Sequence, residues 1–187
     1  NTQYAVLGLK AAARMNYPVK DLNVYKRVVE FVVKTQDTDG PEKARVDVET
    51  REEGGKRTGV FKKTKETDRA RGWTYIGYLN PVGKENMPYP RTGAMTTAAL
   101  AALIVAKSEL INAFGPKSPT PFEGSELDNK INTAVWDGIA WLEHVFTVEM
   151  NPQTQAGASN PGNAGEWHYY YLYGLERAGM LAGQARR

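Results

Sequence analysis

A chain of 187 residues is long enough for one domain with a buried core. Hydrophobic residues at 41% and charged residues at 24% describe an ordinary globular composition, and a formal charge of +3 is too small and too local to argue for nucleic acid. The absence of cysteine removes disulfides, thiolate zinc sites and a cysteine nucleophile together.

The chain opens on a helical pattern. Between Thr2 and about Met15, the residues Tyr4, Val6, Leu7, Leu9 and Ala11 to Ala13 leave almost no polar face, so this helix is expected to be buried on most sides. Asn16 and Pro18 end it, and Asp21 is a candidate N-cap for the next helix. From Leu22 to Thr35 the stripe of Leu22, Tyr25, Val28, Val29, Val32 and Val33 faces inward, with Lys26, Arg27, Glu30 and Lys34 outward. Asn1 precedes all this without an initiator Met or leader, which suggests an excised or processed piece. No signal segment and no apolar run near the ~20 residues of a membrane span is read in the chain, so a soluble domain of unassigned compartment is expected.

Residues 37–72 change character. They are dense in Lys, Arg, Glu and Asp, with Gly54-Gly55 in the middle and Val46, Val48 and Val60-Phe61 on either side. The pattern fits either a solvated insertion or an exposed β-hairpin. Gly72-Trp73-Thr74-Tyr75 and Pro81, Pro88 and Pro90 then hold the chain extended. Thr92 caps a predicted helix to about Leu110, whose Ala/Thr face suits close packing. Loops are read at 115–124 and 151–165. Between them Ser125-Glu-Leu-Asp128 resembles a capping box for a helix reaching Phe146. Asn163 and Glu166 restart a last helix, which ends at Gly179 or Gly183.

Three of these helices look alike. In one register Asn1, Met95 and Trp167 align, as do Thr2, Thr96 and His168, and Gln3, Thr97 and Tyr169. Each of the first two is followed by an amphipathic partner. Stacked helical hairpins with alternating inner and outer helices follow, in an all-α fold over 1–187.

Arg27 to Gln36, then Asp39-Gly40, then Gly72-Trp73, resembles the QW repeat of squalene and hopene cyclases, split here by the charged insertion. The phrases around Asn1 to Leu9 and Trp167 to Gly179 resemble bacterial proteins described as prenyltransferase and squalene oxidase repeat-containing. That resemblance implies a terpenoid-cyclase-like α/α toroid with inner helices around a cavity. Two and a half hairpins would make only a partial toroid, completed by the remainder of a longer toroid or by self-association through the open hairpin edge. The family's Asp-rich protonation motif, its Cys-containing zinc set and its Cys-Gln thioester are all missing.

The candidate ligand-binding residues are Gln3, Tyr4, Trp73, Tyr75, Thr96, Glu166, Trp167, His168, Tyr169 and Tyr171, expected near the starts of the inner helices. Thr97 adds a hydroxyl there. The aromatic residues, with Tyr170, either pack between helices or wall a cleft for an isoprenoid or a sugar. Glu166 and His168 splay around the helix rather than pairing, and His144 is read as exposed. Asp37, Asp39 and Glu166 are the carboxylates that a glycosidase would need. No cofactor or metal is called for. The functional expectation is a non-catalytic ligand- or protein-binding module with an aromatic cleft. The alternative is an isoprenoid or carbohydrate-active enzyme whose acids lie partly outside this chain.

Overall fold

The computed structural model describes residues 2–17, 19–53, 56–74, 90–115, 121–154 and 167–185. In chain order the elements are α1 (Thr2–Arg14), α2 (Asn23–Lys34), β1 (Glu42–Glu53), β2 (Lys56–Arg69), β3 (Arg91–Thr92), α3 (Gly93–Ala113), α4 (Glu126–Val145), β4 (Gln153–Thr154) and α5 (His168–Ala185).

Local chemistry explains most of the boundaries. Asn16 takes φ +65° after α1, and the amides of Asn16 and Tyr17 donate to the carbonyls of Ala13 and Ala12 at 3.1 and 2.9 Å. This is a Schellman ending, for which Asn is one of the few tolerant residues. Thr92 Oγ1 accepts from the Met95 amide at 3.1 Å and starts α3. Ser125 Oγ accepts from the Asp128 amide at 3.2 Å, but Asp128 reaches back to the Gly124 amide (3.0 Å) rather than to Ser125. Asp21 accepts from the Asn23 amide at 3.0 Å, so it supports the start of α2 from one residue before the cap position. The proposed stops at Gly179 and Gly183 do not act, because α5 continues to Ala185. The restart at Asn163 and Glu166 lies outside the described residues.

The expected all-α toroid is not what the chain forms. Among the described residues five helices are joined by two small antiparallel sheets, β1–β2 and β3–β4, and no toroid is seen. The physical reason lies in α3. Thirteen of its 21 residues are buried, and it packs against α1, α2, α4 and α5. An inner helix of a ring leaves one whole face to the cavity; α3 is instead packed on most of its sides, and acts as the axis on which the other helices lie. Alanines and glycines permit this. A Cβ on Gly174 of α5 would stand 2.3 Å from Thr97 Oγ1, and one on Gly93 would stand 2.6 Å from the Tyr171 ring. The same helix corrects the reading of apolar runs, since α3 is long and apolar enough to cross a membrane by length and composition. Burial among its four neighbours accounts for that composition without a bilayer.

The charged insertion is a long antiparallel hairpin, with Glu42 opposite Arg69 and Glu53 opposite Lys56. The register is irregular between Ala44 and Val46. There Arg45 turns to Asp68 (2.9 and 2.6 Å) and lies 4.6 Å over the Trp136 ring of α4. Asp137, also of α4, accepts from the Arg69 amide and from Arg71 Nε, both at 2.8 Å. The base of the hairpin is therefore bolted to α4.

Two tyrosines report on the core. Burial pushes up the phenol pKa of both Tyr25 and Tyr171 from 10.0, with Glu109 adding to the effect at Tyr25. A phenol whose folded pKa is raised supplies stability that is intact below the unfolded value and lost as pH climbs through the folded value. An alkaline titration followed by phenolate absorbance should show Tyr25 and Tyr171 ionising late, together with the loss of helical circular dichroism. Simultaneous ionisation of all ten tyrosines while the helices persist is the opposing result.

Candidate functional site

A groove of about 280 Å³ lies where the first turns of α1, α3 and α5 meet the last turns of α2. Its apolar surface comes from Phe31, Val32, Trp73, Met95, Ala98, Ala99 and Ala102; its polar edge comes from Thr2, Gln3, Thr35, Thr74 and Tyr170. The three helix starts that look alike in sequence do converge here. Tyr170 occupies the place expected for Trp167 and His168.

Trp73 is held by chain segments far apart in sequence. Gln36 and Trp73 form an antiparallel bridge, and the Asp37 amide donates to the Gly72 carbonyl at 3.1 Å. Gln36 is itself buried, and its Nε2 donates to the carbonyls of Arg71 (3.1 Å) and Ala134 (3.0 Å). Gly72 is needed because a Cβ there would stand 2.9 Å from both Thr96 Oγ1 and the Trp141 ring. Trp73 Nε1 donates to the Val32 carbonyl at 2.7 Å, and its backbone amide donates to Thr96 Oγ1 at 3.1 Å. The indole edge is thus occupied by α2, and what the groove receives from Trp73 is apolar surface.

Gln3 is 2% exposed although it belongs to the first turn of α1. Its Oε1 accepts from the Tyr170 hydroxyl at 2.9 Å, and its Nε2 is buried without a hydrogen-bond partner. Exchanging the amide oxygen and nitrogen would leave the oxygen, an acceptor, unmatched in place of the donor, and an alcohol hydroxyl can serve either. A tyrosine hydroxyl can donate or accept, so one end of the amide is unmatched in either orientation. An unmatched buried donor costs about 1–3 kcal/mol.

The other candidates fall into three groups. Thr96 and Tyr171 are fully buried: Thr96 sits beneath Trp73, and Tyr171 donates to the Thr147 carbonyl at 3.0 Å, so both are packing residues. Tyr4 is on the surface, stacked on Tyr173 with ring centroids 6.1 Å apart. Trp167 and Tyr169 are 68% and 85% exposed and do not line the groove. Trp167 has φ +63°, a left-handed turn that carries its side chain away from the helix start. His168 stands 5.7 Å from Tyr169 with a buried Nδ1 that lacks a partner, and it too is absent from the lining. Tyr75 and Glu166 lie outside the described residues.

His144 is exposed on α4, as its pattern suggested. Asp37 is paired with Arg91, and Asp39 lies 3.5 Å from Arg69, so neither carboxylate faces the groove. Among the described residues no group of three or more histidine and acidic side chains is arranged to hold a metal. Phe31, Thr35 and Thr74 line the groove without being among the candidate site residues. Phe31 was legible as the one large apolar residue of α2 that stands outside its inward stripe, and it is half exposed. No family model matches the chain, and no curated protein and no solved structure matches it.

Proposed function

We propose that the chain is a ligand-binding module whose groove takes a small, mainly apolar molecule carrying one hydrogen-bond acceptor, a short isoprenoid alcohol being the type. The observation that carries this reading is the unmatched Gln3 amide at the polar edge of an otherwise apolar groove. A rotation of the buried Gln3 side chain would present the donor to a ligand oxygen, while the ligand's hydrocarbon part would cover Met95, Ala98 and Trp73. A volume of about 280 Å³ sits at the small end of ligand pockets, near about 300 Å³. A sugar is less suited, since it needs several donors and acceptors at once and the Trp73 nitrogen is already bonded. The described lining contains no carboxylate or imidazole for acid–base work, so the role supported is binding.

Titration with geraniol, followed by tryptophan fluorescence, tests this. Binding should be saturable, and Gln3→Leu should weaken it about tenfold, the loss of roughly one hydrogen bond. Methyl glucoside should give no response. Equal affinity in Gln3→Leu, or a response to the glucoside alone, contradicts the proposal.

A further inference from the structure

The opposite end of the same helix pair carries a second cavity. α1 and α5 touch near their starts, where Tyr4 meets Tyr170 and Tyr173 with centroids 5.8 and 6.1 Å apart. Toward their other ends a gap of about 490 Å³ separates them, floored by Ile104 and Ser108 of α3 and closed by Leu181 of α5. Lys10 and Arg14 of α1 line it together, one helical turn apart and so on one face. Neither has a hydrogen-bond or ion-pair partner among the described residues. Glu109, the one carboxylate of the lining, is out of ion-pair range of both.

Burial lowers the Lys10 pKa below 10.5; Glu109 partly opposes that, and Arg14 adds to it. Lys10 is thus partly desolvated beside the exposed Arg14, and the lining sets two cations against a single carboxylate. A further cation of α5 lies outside the lining. Arg177 is one turn before Leu181 on α5, its guanidinium 5.0 Å over the Tyr173 ring and its Nε buried without a partner. Ser108 and Asn112, one turn apart on α3, bring neutral donors to the floor. Two unmatched cations with hydroxyl and amide donors suit a doubly charged oxyanion. The remaining surface, Ala13, Ile104 and Leu181, leaves room for an organic group.

We propose that the gap between α1 and α5 is a phosphate-binding site, in which Lys10 and Arg14 hold the phosphoryl oxygens and Ser108 and Asn112 complete their hydrogen bonds. Free phosphate and a phosphorylated small molecule present the same chemistry to these residues.

The test is titration of the chain with inorganic phosphate and, separately, with phenyl phosphate in a low-salt, phosphate-free buffer, read by calorimetry and by the backbone amide shifts of Ser108 and Asn112. Binding of both with similar affinity assigns the site to free phosphate; binding of phenyl phosphate alone assigns it to a phosphorylated molecule. In either case Lys10→Met and Arg14→Met should each weaken binding about tenfold, as expected for one charge-assisted contact. Glu109→Gln should tighten it, and the distant exposed change Lys130→Met should leave it unaltered. Lys10→Met should also raise the melting temperature without phosphate, because it removes a desolvated ammonium beside Arg14; a merely structural lysine would lower it. Absence of binding by both compounds, or binding undiminished in Lys10→Met and Arg14→Met, overturns the proposal.

Discussion

Replacing Trp73 with alanine should cost the fold about 3–5 kcal/mol, the range for a large aromatic removed from a core. The side chain is 3% exposed, and one edge of its ring lies where a Cβ on Gly138 would stand 2.7 Å away. It also ties α2 to the segment before α3 through the bond to Val32. Domains of this size are stable by only about 5–15 kcal/mol, so urea unfolding should move to markedly lower concentration. Trp73→Phe keeps most of the volume and loses the bond, and should cost less than half as much. A groove wall that is a detachable surface residue would show neither effect.

Asp137→Ala should be comparably severe, about 3–5 kcal/mol, because it strands a partly buried guanidinium. Asp137 is 4% exposed and serves Arg71 and the Arg69 amide together. These contacts hold 69–71 against α4, and 69–71 leads directly into Gly72 and Trp73. Removing both charges with Asp137→Ala and Arg71→Met should cost less than Asp137→Ala alone, since the orphaned charge is then gone. Urea denaturation of the four members of this cycle measures the coupling. Strict additivity would mean that the pair contributes nothing to seating the hairpin.

Features decided within a few residues were legible in the sequence. The Thr92 and Ser125 caps, the Asn16 ending and the polar outer face of α2 depend on local hydrogen bonds and a 3.6-residue period, and they lie close to where they were expected. The hairpin reading of 37–72 rested on alternation around a Gly-Gly pair, which leaves a solvated loop equally open. What settles it is Arg45, Asp137 and Trp136, partners that no local pattern displays.

Which helix lies at the centre was not legible. α1 looked apolar on most sides, yet Tyr4 and Met15 are exposed, and the axis is α3, whose small side chains let neighbours approach from every direction. Apolarity alone does not distinguish these cases, because packing on all sides depends on side-chain size and on what the neighbours present. The same limit explains the site. Gln3 and Trp73 were singled out and do line one groove, whereas Trp167, His168 and Tyr169 were carried there by an alignment. Trp167 stands in a left-handed turn ahead of α5, and Tyr170 faces the groove in their place. The Lys10 and Arg14 pair went unnoticed because a cation pair at helical spacing is an ordinary surface pattern until α3 and α5 are placed beside it.

The reading of the groove turns on one amide group, and a nuclear magnetic resonance titration observes it directly. On addition of geraniol, the Gln3 side-chain NH₂ resonances should shift strongly and saturate together with the Met95 methyl, while Trp167 stays unperturbed. Shifts confined to Trp167 and Tyr169, with the Gln3 amide unmoved, would place binding on the exposed aromatics and contradict the account.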